Sequence, residues 1–211
     1  MKRRFPRLHW MALVLGAAVA IALTMPASAQ QPHDKGWVQP PKDLPRAERG
    51  EPTYNLDTLF AALKIAPDES SARAIEQRIW VLWMNSGSDT CALLMTRVKV
   101  ATEAKDYDLA LKLLSAIVEI KPDYVEAWNR RATLHYQNHD IGRAIADIRE
   151  VLAREPRHFG ALSGLGMMLQ EIGDDKDALE AYRKALAIDP HLEHIPDVVK
   201  TLTDKVEGRE I

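Results

Sequence analysis

The sequence predicts an all-α fold, a solenoid of stacked antiparallel helix pairs, and three observations carry that prediction. Residues of matching type recur at an interval of 34 along the second half of the chain. Within each interval the apolar residues fall at helical spacing, broken by short polar turns and by prolines. Hydrophobic residues make up 46% of 211 residues, enough to build one ordinary core or a short repeat array. That composition argues against a disordered chain, a collagen or a disulfide scaffold. Cys91 is the single cysteine, so no internal disulfide, C-x-x-C redox pair or zinc cluster is available. It sits beside Ala92, Leu93 and Leu94 at a helical start, where a small, partly buried thiol is expected.

The first element is residues 1–29, read as a secretory signal peptide. Residues 2–7 are basic, residues 11–23 form an unbroken apolar run, and Ala27-Ser28-Ala29 supplies the small residues of a cleavage site. Thirteen residues of helix rise only about 20 Å, short of a bilayer core of about 30 Å, so a retained anchor is disfavoured. Cleavage after Ala29 implies a periplasmic protein with no stable membrane insertion. Removing Lys2, Arg3, Arg4 and Arg7 leaves 24 basic against 30 acidic residues, a formal charge near -6. Such an acidic chain is a poor match for a nucleic-acid backbone, which calls for a concentrated basic surface.

Residues 30–52 hold Pro32, Pro40, Pro41, Pro45 and Pro52 among polar side chains and read as a flexible tether. Trp37 is its one large apolar group and is expected to be solvent-exposed, with docking back on the domain or on a partner as the competing expectation. Residues 53–89 read as a degenerate helix pair. Leu56, Leu59, Phe60 and Leu63 mark one short helix; Pro67-Asp68 starts another carrying Ile75, Ile79, Leu82 and Trp83. The stretch IWVLWM (residues 79–84) is apolar nearly all round and is expected to lie between its partner helix and the first clear repeat. An exposed patch built on Trp80 and Trp83 is the competing expectation.

The three clear units span residues 90–123, 124–157 and 158–191. Pro122, Pro156 and Pro190 stand 34 apart, as do Ala110, Ala144 and Ala178, and Asp106, Asp140 and Asp174. Leu94, Trp128 and Leu162 repeat at that interval, with Leu114, Ile148 and Tyr182, and with Val98, Ala132 and Gly166. These residues resemble the tetratricopeptide repeat (TPR) family. The third unit carries Leu162, Leu165, Gly166, Leu169, Ala178, Tyr182, Ala185 and Pro190; the second carries Trp128, Ala132, Ala144, Ile148 and Pro156. Val98 and Arg97 depart from the motif in the first unit, with the small Ala101 restoring volume. The resemblance implies a right-handed α-solenoid, with small residues letting two helices of a unit approach and prolines ending the second helix. Asp123 is expected to cap the next helix with Glu126 three residues on. Residues 192–211 supply a capping helix, from Ile195 to about Lys205, and a tail.

No catalytic, cofactor-binding or metal constellation stands out. His135 and His139 lack an intervening Glu; His191 and His194 lack a third ligand. Gly164-Leu165-Gly166 lacks the strand and third glycine of a nucleotide loop. The arginines Arg130, Arg131, Arg143, Arg149, Arg154 and Arg157 alternate with acids and read as a salt-bridged face. In the family the first helices of each pair line a concave groove. Projecting the helical period places Met95, Lys99, Thr102, Glu126, Asn129, Thr133, Tyr136, Ser163, Met167 and Gln170 there, with Ala92 and Gly160. Amides, hydroxyls and apolar groups together suit a partner peptide or helix. A carboxylate clamp of the kind some family members use is matched only by Lys99 and Asn129, with Arg130 less well placed.

The overall pattern resembles small exported TPR proteins of alphaproteobacterial type. It implies a non-catalytic periplasmic adaptor or scaffold that binds another protein or peptide and supports cell-envelope assembly or integrity. The alternative is a chaperone-like holdase or assembly factor for exported proteins, in cytochrome c or outer-membrane biogenesis. A metal-dependent enzyme built on the histidines is a third reading.

Overall fold

A computed structural model describes residues 37–41 and 55–208, which lie within the unit Pro32–Ile211. The signal-like segment and most of the proline-rich tether fall outside the described residues. Those residues form nine helices and no strand: α1 (Leu56–Lys64), α2 (Glu69–Met84), α3 (Asp89–Glu103), α4 (Tyr107–Ile120), α5 (Val125–Gln137), α6 (Ile141–Arg154), α7 (Phe159–Glu171), α8 (Asp175–Ile188) and α9 (Ile195–Val206).

Short polar side chains set the helix starts. Asn55, Asp68, Ser88, Asp106, Asp140 and Asp174 each accept a hydrogen bond from the N–H three residues ahead, satisfying one of the helix's orphan donors. The expected cap at Asp123 is displaced by one residue. Tyr124 occupies the cap position without a side-chain bond, because Asp123 turns outward to Lys121 at 3.1 Å. Glu126, its expected capping partner, is instead buried.

The turn inside each repeat has one geometry, copied at the sequence interval. Lys105, His139 and Gly173 adopt φ of 60°, 59° and 85°, the left-handed conformation that closes a helix. The following N–H then reaches five residues back: Asp106 to Ala101, Asp140 to His135 and Asp174 to Leu169, at 2.8, 2.9 and 2.8 Å. The next helix starts at once, because that same aspartate is its cap. The three hairpins are therefore equivalent in backbone as well as in sequence.

Small residues allow the two helices of a pair to close. Ala132 and Ala144 are both fully buried, and a Cβ on Gly166 would stand 2.8 Å from the Tyr182 ring. Cys91 is likewise fully buried, more deeply than the sequence suggested, in a cluster with Met95, Val98, Leu114 and Tyr124. The arginine-rich face is ion-paired as expected. Arg131 forks onto Asp147 with two 2.8 Å bonds, and Arg157 reaches both Glu155 and Asp57.

The N-terminal pair packs differently from expectation. Trp80, Trp83, Ile79, Phe60 and Leu63 join one core with Phe159, Leu162, Tyr182, Leu192, Ile195 and Leu202. The apolar stretch of α2 therefore packs on α1 and, through Trp80 and Trp83, on His158 and Phe159 of the third repeat, and only Met84 at its end reaches the core of the first repeat. The physical reason is the surface α7 offers: Gly160 has no side chain, so the Trp80 indole can settle against its backbone. Both tryptophans are buried, so neither forms an exposed patch. The helix α9 covers α8 through Ile195 and Leu202.

Candidate functional site

The concave face predicted from sequence is largely filled by the protein's own chain. Of the ten projected residues, Met95, Glu126, Asn129, Ser163 and Met167 are buried, and Thr102, Thr133, Tyr136 and Gln170 are half-buried. Lys99 alone is exposed, beside Glu103 one helical turn along α3. Thr102 and Thr133 donate their hydroxyls to carbonyls one turn back, Val98 and Asn129.

Two segments do the covering. The first is the tether itself. Trp37 is only 6% exposed, correcting the expectation of a solvated linker residue. Its ring meets Tyr136 edge-on at 5.6 Å and packs in one cluster with Met167, Ala161 and Met168. The adjacent Val38 N–H donates to Ser163 Oγ at 2.9 Å, and Ser163 donates in turn to the Gly160 carbonyl at 2.9 Å. Gly164 makes the arrangement sterically possible, since a Cβ there would lie 2.5 Å from the Trp37 ring.

The second is the end of α2. Trp83 stacks on His158 at 3.9 Å with an interplanar angle of 5°, while Trp80 meets Trp83, His158 and Phe159 edge-on. The His158 Nδ1 accepts the Ala161 N–H at 3.0 Å, capping α7, so the ring proton belongs on Nε2. That nitrogen points toward Glu126 Oε2 at 3.5 Å. Glu126 is fully buried; it accepts from Asn129 Nδ2 at 3.1 Å and faces Arg130 Nε at 3.2 Å. The Arg130 contact is an ion pair without hydrogen-bond alignment, and both Nε and Oε1 otherwise lack a partner. Met84 closes the edge of this knot: its carbonyl accepts from Tyr124 Oη at 2.9 Å and its sulfur faces Arg130.

A third contact ties α2 to the far end of the stack. Glu76 faces the Asp189 carboxylate, at the residue that follows α8. Burial, and then the Asp189 charge, push the Glu76 carboxyl up to about 8. Asp189 is held above its ordinary range by its own burial.

Among the described residues no group of three or more His, Cys, Asp or Glu is placed to hold a metal. His135 faces Asp147 at 3.9 Å, and burial keeps its pKa below the ordinary histidine value despite that carboxylate. His139 lies in the turn with positive φ, so the i, i+4 pair is divided between a helix and a turn. No helix among the described residues is long and apolar enough to cross a membrane.

The tetratricopeptide repeat family model matches residues 129–193. A TPR repeat-containing protein of Rhizobium etli is 39% identical over 163 residues, spanning 77% of this chain and 80% of that one. The chain belongs to the tetratricopeptide repeat family. The first TPR of Spaghetti bound to an HSP90 peptide shares the fold, with a TM-score of 0.54 at 15% identity. That match covers 57% of this chain and 95% of the other. The TPR2B domain of yeast Sti1, solved in complex with an Hsp70 peptide, superposes with a TM-score of 0.52 at 16% identity, covering 56% and 99%.

The pattern of 34 located the repeats and the face, but not what covers that face. The repeat pattern gives His158 no role beyond a unit boundary, and it favours a solvated Trp37 over the docked one that the structure shows. Two signals were present in the sequence. An isolated tryptophan in a polar tether calls for a pocket. A Gly160/Gly164 pair one turn apart on the predicted inner face marks a helix surface that another backbone approaches closely.

Proposed function

We propose that this TPR protein is an exported, periplasmic, non-catalytic adaptor that supports cell-envelope assembly or integrity by holding a peptide or helix of another protein on its concave face. One observation carries the reading: that face accepts polypeptide in two forms, a short non-helical segment at Trp37–Val38 and a helix at α2. The two structural neighbours described above, each solved with a chaperone peptide, support the same use of the fold. The projected residues left accessible for a partner are the exposed Lys99 and the half-buried Thr102, Thr133, Tyr136 and Gln170. Signal-like residues 1–29 support export.

Crosslinking in intact cells tests this reading. One or two proteins of the envelope are expected to be captured by the native chain and lost when Lys99, Thr133 and Tyr136 are replaced together. Recovery of no specific protein overturns it. Weak binding of many denatured proteins without saturation replaces the adaptor with a holdase for exported proteins.

A further inference from the structure

We infer that residues 37–41 are a built-in ligand of the concave face, and that the pocket they fill is a recognition site for an extended peptide anchored by a tryptophan. The inference rests on the concave face being the binding surface, and adds both the ligand class and the competitor a partner must displace.

The pocket has the parts of a peptide site. Its floor is the glycine side of α7, where Gly164 leaves space for an indole that even a methyl group would fill. Its wall is Tyr136 from the neighbouring repeat, edge-on to the indole, and its end is Met167. Ser163 reads backbone: its Oγ accepts the N–H of the residue after the tryptophan, while its own proton is committed to Gly160. Beyond it, the Val38 carbonyl lies over Gly160, where a Cβ would come within 2.7 Å. An aromatic anchor plus a main-chain hydrogen bond is the economy by which extended peptides are recognised. Pro40 and Pro41 follow at once, stiffening the segment and lowering the entropy lost when it docks.

The occupant is held incompletely. The Trp37 indole N–H is buried and has no acceptor. A docked donor left unpaired weakens the hold of the tether, so a partner segment that supplies an acceptor gains an advantage over it. Because the tether is part of the same chain, its effective concentration is high, and a partner's apparent affinity is reduced by the fraction of molecules in which the pocket is open.

The test uses the full mature chain and a fluorescent peptide copying residues 35–43. With Trp37→Ala in the protein the pocket is vacated, and the peptide is expected to bind at least about tenfold more tightly than to the native chain. A peptide with alanine in place of its tryptophan is expected not to bind, and Gly164→Met added to Trp37→Ala is expected to abolish binding. Circular dichroism checks that each variant is folded. Independently of Trp37, the Val38 amide of the native chain is expected to exchange slowly, and about tenfold faster in Ser163→Ala. Equal peptide binding to native and Trp37→Ala protein, no binding to either, or an unprotected Val38 amide overturns the inference. Should the peptide fail while envelope partners are still captured through Lys99, Thr133 and Tyr136, this inference falls and the adaptor reading stands.

Discussion

Replacing Gly160 by alanine, set beside the same replacement at Gly142, separates helix propensity from the packing of α2. In a helix interior alanine is favoured over glycine by about 0.8–1.0 kcal/mol. Gly142 lies in the first turn of α6, and a Cβ there finds only Asp140 Oδ1 at 3.9 Å, an ordinary contact. The substitution is expected to stabilise by about 0.5 kcal/mol, somewhat less than an interior site gives. At Gly160 the new Cβ would stand 2.7 Å from the Val38 carbonyl and 2.9 Å from Trp80 Cη2. Trp80 has no exposed surface and is wedged between Trp83, His158 and Phe159, so it cannot yield cheaply. Gly160 holds the same second position in α7, so overpacking of about 1–3 kcal/mol outweighs a similar propensity gain and leaves a net loss of about 0.5–2.5 kcal/mol. The two variants should therefore move apart by about 1–3 kcal/mol, or several degrees in Tm for a chain of this size. Urea unfolding of both variants measures the difference, and Trp80→Leu should remove part of the Gly160→Ala penalty, the contact with the Val38 carbonyl remaining. Equal stabilisation by both alanines would mean that α2 and the tether do not lie on α7, and the account of the concave face would fail with it.

Three further outcomes follow from single contacts. His139→Gly, checked by thermal unfolding, should stabilise by about 1 kcal/mol, because a residue with a Cβ now occupies φ of 59°. Glu126→Ala should destabilise by about 3 kcal/mol, since it removes the acceptor of the buried Asn129 amide and the carboxylate that faces Arg130 and His158; Glu126→Gln should cost less. Glu76 binds its proton more tightly in the folded chain, so its contribution to stability is complete below about pH 4.5 and is lost as pH rises through about 8. Denaturation curves across that window should show stability falling with pH, and Glu76→Gln should flatten the fall.

The architecture was legible because its signals are periodic and local. The aspartates that cap α4, α6 and α8 recur every 34 residues, and each turn needs only its own six residues to form. The same holds for Gly166 against Tyr182, two motif positions within one hairpin. The unread part depends on contacts between segments far apart in sequence. Nothing near Trp37 announces Ser163, 125 residues from Val38, and nothing in IWVLWM chooses between α3 and α7 as its neighbour. The cap at Tyr124 was missed for a related reason: Glu126 had a tertiary role in the knot with Asn129 and His158, so the local capping-box pattern was overridden.

The burial of the inner face also explains why a short stack needs no fourth repeat in series. A hairpin of this kind cannot bury its apolar stripe alone, and a stack leaves two ends and a concave side open. Here α9 covers the last end, while α1 and α2 cover the concave side of the third repeat and reach the same α9 core through Phe60, Leu63 and Trp80. Among the described residues the first repeat receives less cover, from Met84 at the end of α2. On α3, Leu93 and Val100 stand seven residues apart, two turns along one helix face, with 58% and 61% of their surfaces exposed. Stability is therefore concentrated at the C-terminal half, where three elements converge on α7. Amide exchange should accordingly be fastest in α3 and α4 and slowest in α7 and α8. Slowest exchange in α3 would show that the first repeat, not the third, anchors the fold, and that the self-docked segments add little to it.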